Sequence, residues 1–223
     1  MFFFTFVRKM TLDITIFEET FTLHPSGALY WRAPQILLIS DVHLGKVSHF
    51  RKSGAAVPRG AIHKNFDLLN EVINYFNPLE VYFMGDLFHS YLNGEWQLFE
   101  SWIQKQNKQT TLIIGNHDII SPLKFESLGI RVCPVLRKNP FFFTHHPSEE
   151  EGYFNFSGHL HPAVRLRGMG RQSLKLPCFY HNEKQMILPA FGEFTGTHVL
   201  SPGKKDHIYA IASNEVIDVS PTI

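Results

Sequence analysis

Apolar positions follow three different rhythms along this chain. Near the start they alternate loosely: Leu12, Ile14 and Ile16, then Phe21 and Leu23, then Leu29 and Trp31. Period-two spacing predicts a small β meander, with its turn at Pro25-Ser26-Gly27. The run Ile36-Leu37-Leu38-Ile39 is apolar throughout, as expected of a strand covered on both faces. After Pro58 the spacing lengthens: Ile62, Phe66, Leu69, Val72 or Ile73, and Phe76 fall three or four apart. They predict one face of a helix that Asn77-Pro78 ends. Val81-Tyr82-Phe83-Met84 predicts the next strand, and a second helix follows over about 95–108, with Trp96, Phe99, Trp102 and Ile103 on its buried stripe. Leu112-Ile113-Ile114 is a third buried strand. Alternating strands and helices imply a sheet with parallel members and helices on its faces.

From Phe141 onward the pattern is short strands only, at 141–143, 153–156, 164–166, 174–180, 186–188 and 208–211. Turns such as Pro202-Gly203-Lys204-Lys205 separate them. No linker, repeat or low-complexity segment intervenes. The expected fold is therefore α/β, a two-sheet β sandwich flanked by helices, with residues 1–223 as one domain.

Composition narrows the class. Apolar residues are 44% and charged residues 18% of the chain, enough for a sizeable core. The 21 phenylalanines fall mostly in the strand-like runs. A net charge of +1 gives no global field toward nucleic acid, membrane or acidic substrate, so any such preference must be local. Cys133 and Cys178 lie far apart and form no motif, which fits a reducing cytoplasm. The opening Met1-Phe2-Phe3-Phe4-Thr5-Phe6-Val7-Arg8-Lys9 lacks a preceding positive region and a small-residue cleavage site, so it is not expected to be a secretory signal. Translation from Met10 would make residues 1–9 an artefactual extension, which the intact mass of the natively expressed protein would decide. No stretch has the apolar length needed to span a bilayer.

The chemistry sits at the strand ends. Ser40-Asp41-Val42-His43 follows the first buried strand, Gly85-Asp86 the second, and Gly115-Asn116-His117-Asp118 the third. Thr144-His145 follows the phenylalanine run, and Gly158-His159-Leu160-His161 closes the set. Carboxyl ends of parallel strands share one edge of a sheet, where ligands bind. Asp41, His43, Asp86, Asn116, His145, His159 and His161 thus form a mixed oxygen and nitrogen donor set. Such a set favours divalent Mn²⁺, Fe²⁺ or Zn²⁺ over Ca²⁺ or Mg²⁺ alone, with Mn²⁺ the leading choice. Seven ligands exceed what one tetrahedral ion takes, whereas two ions sharing a bridging carboxylate use them all. Glycines ahead of Asp86, Asn116 and His159 allow sharp turns and close approach.

In this order the motifs resemble the calcineurin-like metallophosphoesterase superfamily. Further strings resemble a narrower group, the ligase-associated DNA-damage-response metallophosphoesterases of bacteria. These are Asp41-Val-His-Leu-Gly-Lys46 with His49-Phe50-Arg51, Gly85-Asp-Leu-Phe-His-Ser90, Gly158-His-Leu-His-Pro162, Arg171-Gln-Ser-Leu-Lys-Leu-Pro-Cys-Phe179 and Leu188-Pro-Ala-Phe-Gly-Glu-Phe-Thr-Gly196. The matches run over residues 36–211. The resemblance implies a four-layer αββα fold and a two-metal phosphodiesterase, a DNA endonuclease that works with a DNA ligase and a helicase in repair. It implies a first ion held by Asp41, His43 and His161, a second held by Asn116, His145 and His159, and Asp86 between them. His145 and His146 stand together where one ligand is needed; His145 follows the strand directly and is preferred, with His146 the alternative. His117 would face the scissile phosphate, oriented by Asp118, and protonate the leaving oxygen or stabilise phosphoryl charge.

Substrate preference rests on local charge. Lys46, His49, Arg51, Lys52 and Arg59 cluster after the first buried strand, and Arg165, Arg167, Arg171 and Lys175 just past the last ligands. Two basic clusters flanking a phosphoesterase cleft suit a polyanion such as DNA, though a solvated surface has the same composition. Of these, Lys46, His49, Arg51 and Arg165 are the substrate-binding candidates. Phe50 and Tyr91 are candidates to stack on bases. A phosphatase or pyrophosphatase acting on a small nucleotide or lipid precursor would need the same metals and a capped pocket in place of an open groove. His89 is expected beside a metal ligand, and Cys178 is expected to be packing.

Overall fold

The computed structural model describes residues 9–46, 61–89, 93–192 and 195–221, apart from the side chains of Ala61 and Arg171. Two sheets face each other across a core built largely of aromatic rings. The first has the order β1-β2-β3-β4-β5-β6-β7. Its strands are β1 (Leu12–Ile16), β2 (Glu19–Leu23), β3 (Leu29–Trp31), β4 (Ile36–Ile39), β5 (Glu80–Phe83), β6 (Gln109–Ile113) and β7 (Arg131–Cys133). The antiparallel meander β1-β2-β3 joins antiparallel onto β4, and β4 through β7 run parallel. The meander turns where expected, with Gly27 N–H donating to the His24 carbonyl at 2.9 Å.

Among the described residues, three helices cross between the parallel strands: α1 (Ala61–Phe76), α2 (Gly94–Ile103) and α3 (Pro122–Glu126). Each contributes to one cluster with the outer face of the first sheet: Phe66, Leu69, Val72 and Ile73 of α1, Trp96, Phe99, Trp102 and Ile103 of α2, and Phe125 of α3. Asn93 caps α2, its Oδ1 accepting from Glu95 N–H at 2.8 Å. This helix ends at Ile103, short of the expected 108. Beyond Ile103 the chain reads Gln104-Lys105-Gln106-Asn107-Lys108, with no apolar side chain to hold another turn against the sheet.

The second sheet has the order β14-β11-β12-β13-β10-β9-β8, with β15 on β12 and β16 on β15. The ranges are β8 (Leu136–Lys138), β9 (Phe141–Phe143), β10 (Phe154–Ser157), β11 (Pro162–Arg167), β12 (Ser173–His181), β13 (Gln185–Ile187), β14 (His198–Val199), β15 (His207–Ala212) and β16 (Glu215–Asp218). Between the sheets lie Phe21, Trp31, Tyr82, Phe141, Phe143, Phe154, Phe156 and Phe179. Phe141 and Phe156 pack edge to face at 5.4 Å, and Phe143 stacks on Phe156 at 5.6 Å. The phenylalanine-rich runs are therefore the inner wall of the sandwich, as their pattern predicts. On the far face of the second sheet, Val164, Cys178, Ile208 and Ala210 form a small cluster of strand residues, and the three described helices all lie with the first sheet. Burial pushes the Cys178 thiol up to about 12, consistent with packing alone.

Candidate metal centre

Because β4, β5 and β6 are parallel, Asp41 with His43, Asp86 and Asn116 leave the first sheet at one edge. β9 and β10 are likewise parallel and deliver His145, His159 and His161 from the second sheet. Backbone bonds tie the ends together: Asp41 N–H donates to Gly85 O at 3.2 Å, His43 N–H to Asp86 O at 3.0 Å, and Gly158 N–H to His145 O at 3.0 Å. Across the sheets, His159 N–H donates to Asp41 Oδ2 at 3.0 Å, and Ser40 Oγ–H donates to the same oxygen.

All seven predicted ligand side chains come together, in two adjoining groups. In the first, Asp41 Oδ1 lies 3.1 Å from His161 Nε2 and 3.8 Å from His43 Nε2, and those two nitrogens are 3.4 Å apart. In the second, His145 Nε2 lies 3.1 Å from Asn116 Oδ1, 3.3 Å from Asp86 Oδ1 and 3.2 Å from His159 Nδ1. Ligand atoms of Asp41, Asp86 and His145 fall within 4.8 Å of one another, so a carboxylate stands where the groups meet. His145 is the buried histidine that touches Asp86 and Asn116; His146 is exposed and packs on His159 with ring centroids 3.9 Å apart and planes tilted by 52°.

These donors fit divalent cations. His145 Nδ1 faces the Met84 carbonyl at 2.9 Å and His161 Nδ1 faces the Gly196 carbonyl at 3.0 Å. A proton on each Nδ1 satisfies the carbonyl and leaves the Nε2 lone pair aimed into the cluster. There it meets carboxylate and amide oxygens, which are acceptors too. Asp41 Oδ1 and His43 Nδ1 are buried without a hydrogen-bond partner, a state that costs free energy unless a cation or donor meets the oxygen. Two bound divalent ions at such a site supply an activated water and a positive clamp for phosphate oxygens.

The backbone carries strain here. Asp41, His43, Asp86, His159 and His161 all have left-handed φ, between +48° and +66°. Non-glycine residues adopt that region at a cost, and they do so where the surroundings over-determine it. Gly85 (φ +87°) precedes Asp86, and a Cβ there would run into the His145 imidazole. Its lack of a side chain lets the two sheets close on each other at the site.

Charge is strongly perturbed by burial and neighbours. Burial pulls the His43 imidazole down to about 3, against the attraction of Asp41 and Asp86. Burial works to raise Asp86, but the His145 hydrogen bond and charge, the His117 N–H and His43 hold its carboxyl down to about 2. For His145, burial acts downward, yet Asp86 carries it above its ordinary value. Burial lowers the Lys46 ammonium, opposed by the Asp86 charge.

Asp118 is bonded to backbone amides and makes no hydrogen bond to the His117 ring. Its Oδ2 accepts from Asp86 N–H at 2.8 Å and Gly115 N–H at 2.9 Å, and its Oδ1 accepts from Phe88 N–H at 3.0 Å. A carboxylate in reach of three backbone amides is captured by them, and it pins the loops after β5 and β6 to each other. His117 is exposed, its own N–H donates to Asp86 Oδ1 at 2.9 Å, and its ring stacks on His89. His89 also lies beside His43, with ring centroids 5.3 Å apart, as expected.

Arg165 is exposed on β11, and Lys46 is half-buried near Asp86. His49, Phe50, Arg51, Lys52, Arg59, Tyr91 and the Arg171 side chain lie outside the described residues. Sequence reading gave no role to Ser40, Asn65 or Glu95. Asn65 Nδ2–H donates to Val42 O at 3.1 Å, and buried Glu95 accepts from Gly45 N–H at 2.6 Å, so both fasten the loop that carries Asp41 and His43. Their signal was a polar residue set in the apolar stripe of a helix, Asn65 beside Phe66 and Glu95 beside Trp96.

A β sandwich with histidine and carboxylate groups at the carboxyl edge of its parallel strands has the layout of a metal-dependent hydrolase. The calcineurin-like phosphoesterase pattern matches residues 34–202, and the chain belongs to that family. It is a metal-dependent phosphoesterase. Among solved structures, the chain is similar to the Pseudomonas putida nuclease MPE, at 27% identity and a TM-score of 0.77 over 94% of this chain and 100% of that one. It also aligns with Yfce, a phosphoesterase from E. coli, at 12% identity and a TM-score of 0.44 over 84% of this chain and 99% of that one. The comparison with curated proteins gave no match. No helix among the described residues is long and apolar enough to cross a membrane.

Proposed function

We propose that this protein is a two-metal phosphodiesterase that cuts nucleic acid, a DNA endonuclease of ligase-associated repair. Asp41, His43 and His161 would hold a first ion and Asn116, His145 and His159 a second, with the Asp86 carboxylate shared between the two groups; Mn²⁺ is the ion expected. The observation that carries this reading is the facing of lone pairs within two adjoining groups, His145 Nε2 against Asn116 Oδ1 and Asp86 Oδ1, and Asp41 Oδ1 against His161 Nε2. His117, exposed beside Asp86, protonates the leaving oxygen or steadies charge on the phosphoryl oxygens. Asp118 positions His117 indirectly, through the loops it ties together. Similarity to a nuclease over the whole of that chain supports a polynucleotide as the substrate. Work beside a DNA ligase and helicase belongs to the same reading and follows from the family resemblance. The cytoplasm is inferred from the two separated cysteines, and one domain spanning the chain from its length.

The test is Mn²⁺-dependent cleavage of single-stranded, hairpin and nicked DNA by wild type and Asp86→Asn. Cleavage by wild type alone is expected. If DNA stays intact while bis(p-nitrophenyl) phosphate is hydrolysed, the substrate is a small phosphodiester and the nuclease reading fails.

A further inference from the structure

We propose that the inner face of the β11–β12 hairpin guides a nucleic-acid strand to the metal centre, with Arg165, Arg167 and Lys175 holding its phosphates. The inference rests on the nuclease reading above and gives that substrate a track. β11 begins at Pro162, the residue after His161, so the hairpin is rooted at the metal groups. Its register pairs Ala163 with Pro177, Arg165 with Lys175 and Arg167 with Ser173. Alternation puts Val164, Leu166 and Leu176 on the outer face, where they join the cluster around Cys178. The opposite face is continuous with Phe179, which packs between the sheets. Along this inner face the residues change from buried Ala163 to exposed Arg165, Arg167 and Lys175.

Two features separate this face from an ordinary solvated surface. Residues 152–182 contain no aspartate or glutamate, while Arg165, Arg167, Arg171 and Lys175 all fall within them. Five other surface bases sit in ion pairs: Arg32 with Asp13, Arg137 with Glu150, Lys138 with Glu80, Lys184 with Glu149, and Lys205 with Glu183. Exposed Lys105, Lys124, Arg131 and Lys204 are unpaired among the described residues but scattered along the chain, so the second feature is that unpaired bases gather on one hairpin. Arg165, Arg167 and Lys175 make no ion pair with any described residue. Their charge is uncompensated within a hairpin that starts at the site of phosphate chemistry. Arg165 and Arg167 are two residues apart, so their Cα atoms are separated by roughly 7 Å, close to the interval between phosphates of an extended strand. Lys175 lies directly across from Arg165, near enough for both to grip one phosphate.

The measurement is fluorescence anisotropy of a labelled single-stranded phosphorothioate oligonucleotide, which keeps its charge and resists hydrolysis, with Mn²⁺-supplied full-length protein at 50 and 200 mM salt. Wild type binds, and R165A/R167A/K175A binds at least tenfold more weakly. Its dependence of log K on log salt is shallower by roughly 1.4, the counterion share of two neutralised phosphates on a single strand. R165Q/R167Q/K175Q keeps part of each aliphatic stem and gives the same loss, and thermal melting confirms that both variants are folded. K184A/K205A, which removes positive charge elsewhere, stays within twofold of wild type. Wild-type affinity and slope in the triple variants overturn the proposal, as does a wild type that does not bind. Mn²⁺-dependent cleavage of the unmodified oligonucleotide is measured alongside. Binding that the triple variants lose, without cleavage by wild type, keeps the track and removes the nuclease reading; cleavage with an unchanged KM in the triple variants does the reverse.

Discussion

The imidazoles of His89 and His117 lie ring against ring, with centroids 4.5 Å apart and planes 24° from parallel. His43 completes the group, 5.3 Å from His89 and 6.0 Å from His117. With Asp118 engaged elsewhere, this stack is what fixes the plane of an otherwise exposed ring. An aromatic contact of this kind is worth about 0.5–1.5 kcal/mol, which corresponds to roughly tenfold in rate when it is needed only for alignment. His89→Ala is therefore expected to lower kcat toward a chromogenic phosphodiester about tenfold, with KM and bound metal unchanged. His89→Phe, which retains a stacking face, recovers most of the rate. A kcat in His89→Ala equal to wild type would show that the stack does not position His117.

Asp118 and His117 should separate cleanly by experiment. Asp118→Asn can keep its one acceptor oxygen against the Asp86 and Gly115 amides, which turns its NH₂ on Phe88 N–H and leaves that donor without its acceptor. One lost hydrogen bond to a charged group costs on the order of 2 kcal/mol, read as a lower melting temperature. His117→Ala is expected to melt like wild type, keep its metals and lose most of kcat. An Asp118→Asn protein that melts normally and loses only rate would return Asp118 to a direct catalytic role.

These two residues also mark where the sequence stops being informative. Strand ends were legible because continuous apolar runs such as Ile36–Ile39 and Phe141–Phe143 are long enough to show burial on both faces, and each is followed at once by polar donors. The parallel order of β4, β5 and β6 then brought those donors to one edge. β7, β8, β14 and β16 were not legible, since their two to four residues mix polar and apolar side chains and show neither a period nor a continuous apolar run. The partners of Asp118 were not legible because Asn116-His117-Asp118 reads equally well as a catalytic relay or a turn whose carboxylate collects backbone amides. Choosing needs the position of Asp86 and Phe88, some thirty residues away. The left-handed φ at five metal-site residues has no sequence signal either, because Asp and His rather than Gly occupy those positions.

Gly85 tests how tightly the two sheets must close. Its φ of +87° disfavours any side chain, and a Cβ would collide with the His145 ring. Gly85→Ala should displace His145 from Asp86 and Asn116 and weaken Mn²⁺ binding by about 10–100-fold, as measured by isothermal titration. Gly94→Ala is the control, since a Cβ at Gly94 meets nothing within 4 Å, and it should bind metal as wild type does. Equal Mn²⁺ affinity in both variants would mean that the Gly85 contact is not what sets His145 in place.

His24 gives a pH dependence far from the metals. Its Nδ1 accepts from Ser26 N–H at 3.1 Å, and its ring packs on Tyr75 and Phe76. Nδ1 also lies 2.8 Å from the Ser26 hydroxyl, so protonating it exchanges the Ser26 N–H bond for one to Oγ. Nε2 is buried without a partner, and a charged ring has no water to meet it there. Burial, then the Lys9 charge, pushes the imidazole down to about 4, against Glu71, which acts the other way. The unfolded chain takes up this proton near pH 6.5 and the folded protein only near pH 4. Stability from the neutral ring is therefore complete above about pH 6.5 and is lost as pH falls toward 4, levelling below it. For a side chain this deeply buried the loss is on the order of 3 kcal/mol. Urea unfolding from pH 7 to pH 4 should show wild type weakening more steeply than His24→Gln, by about 1.4 kcal/mol per pH unit within that window. Parallel curves for the two proteins would mean that His24 already titrates normally in the folded state.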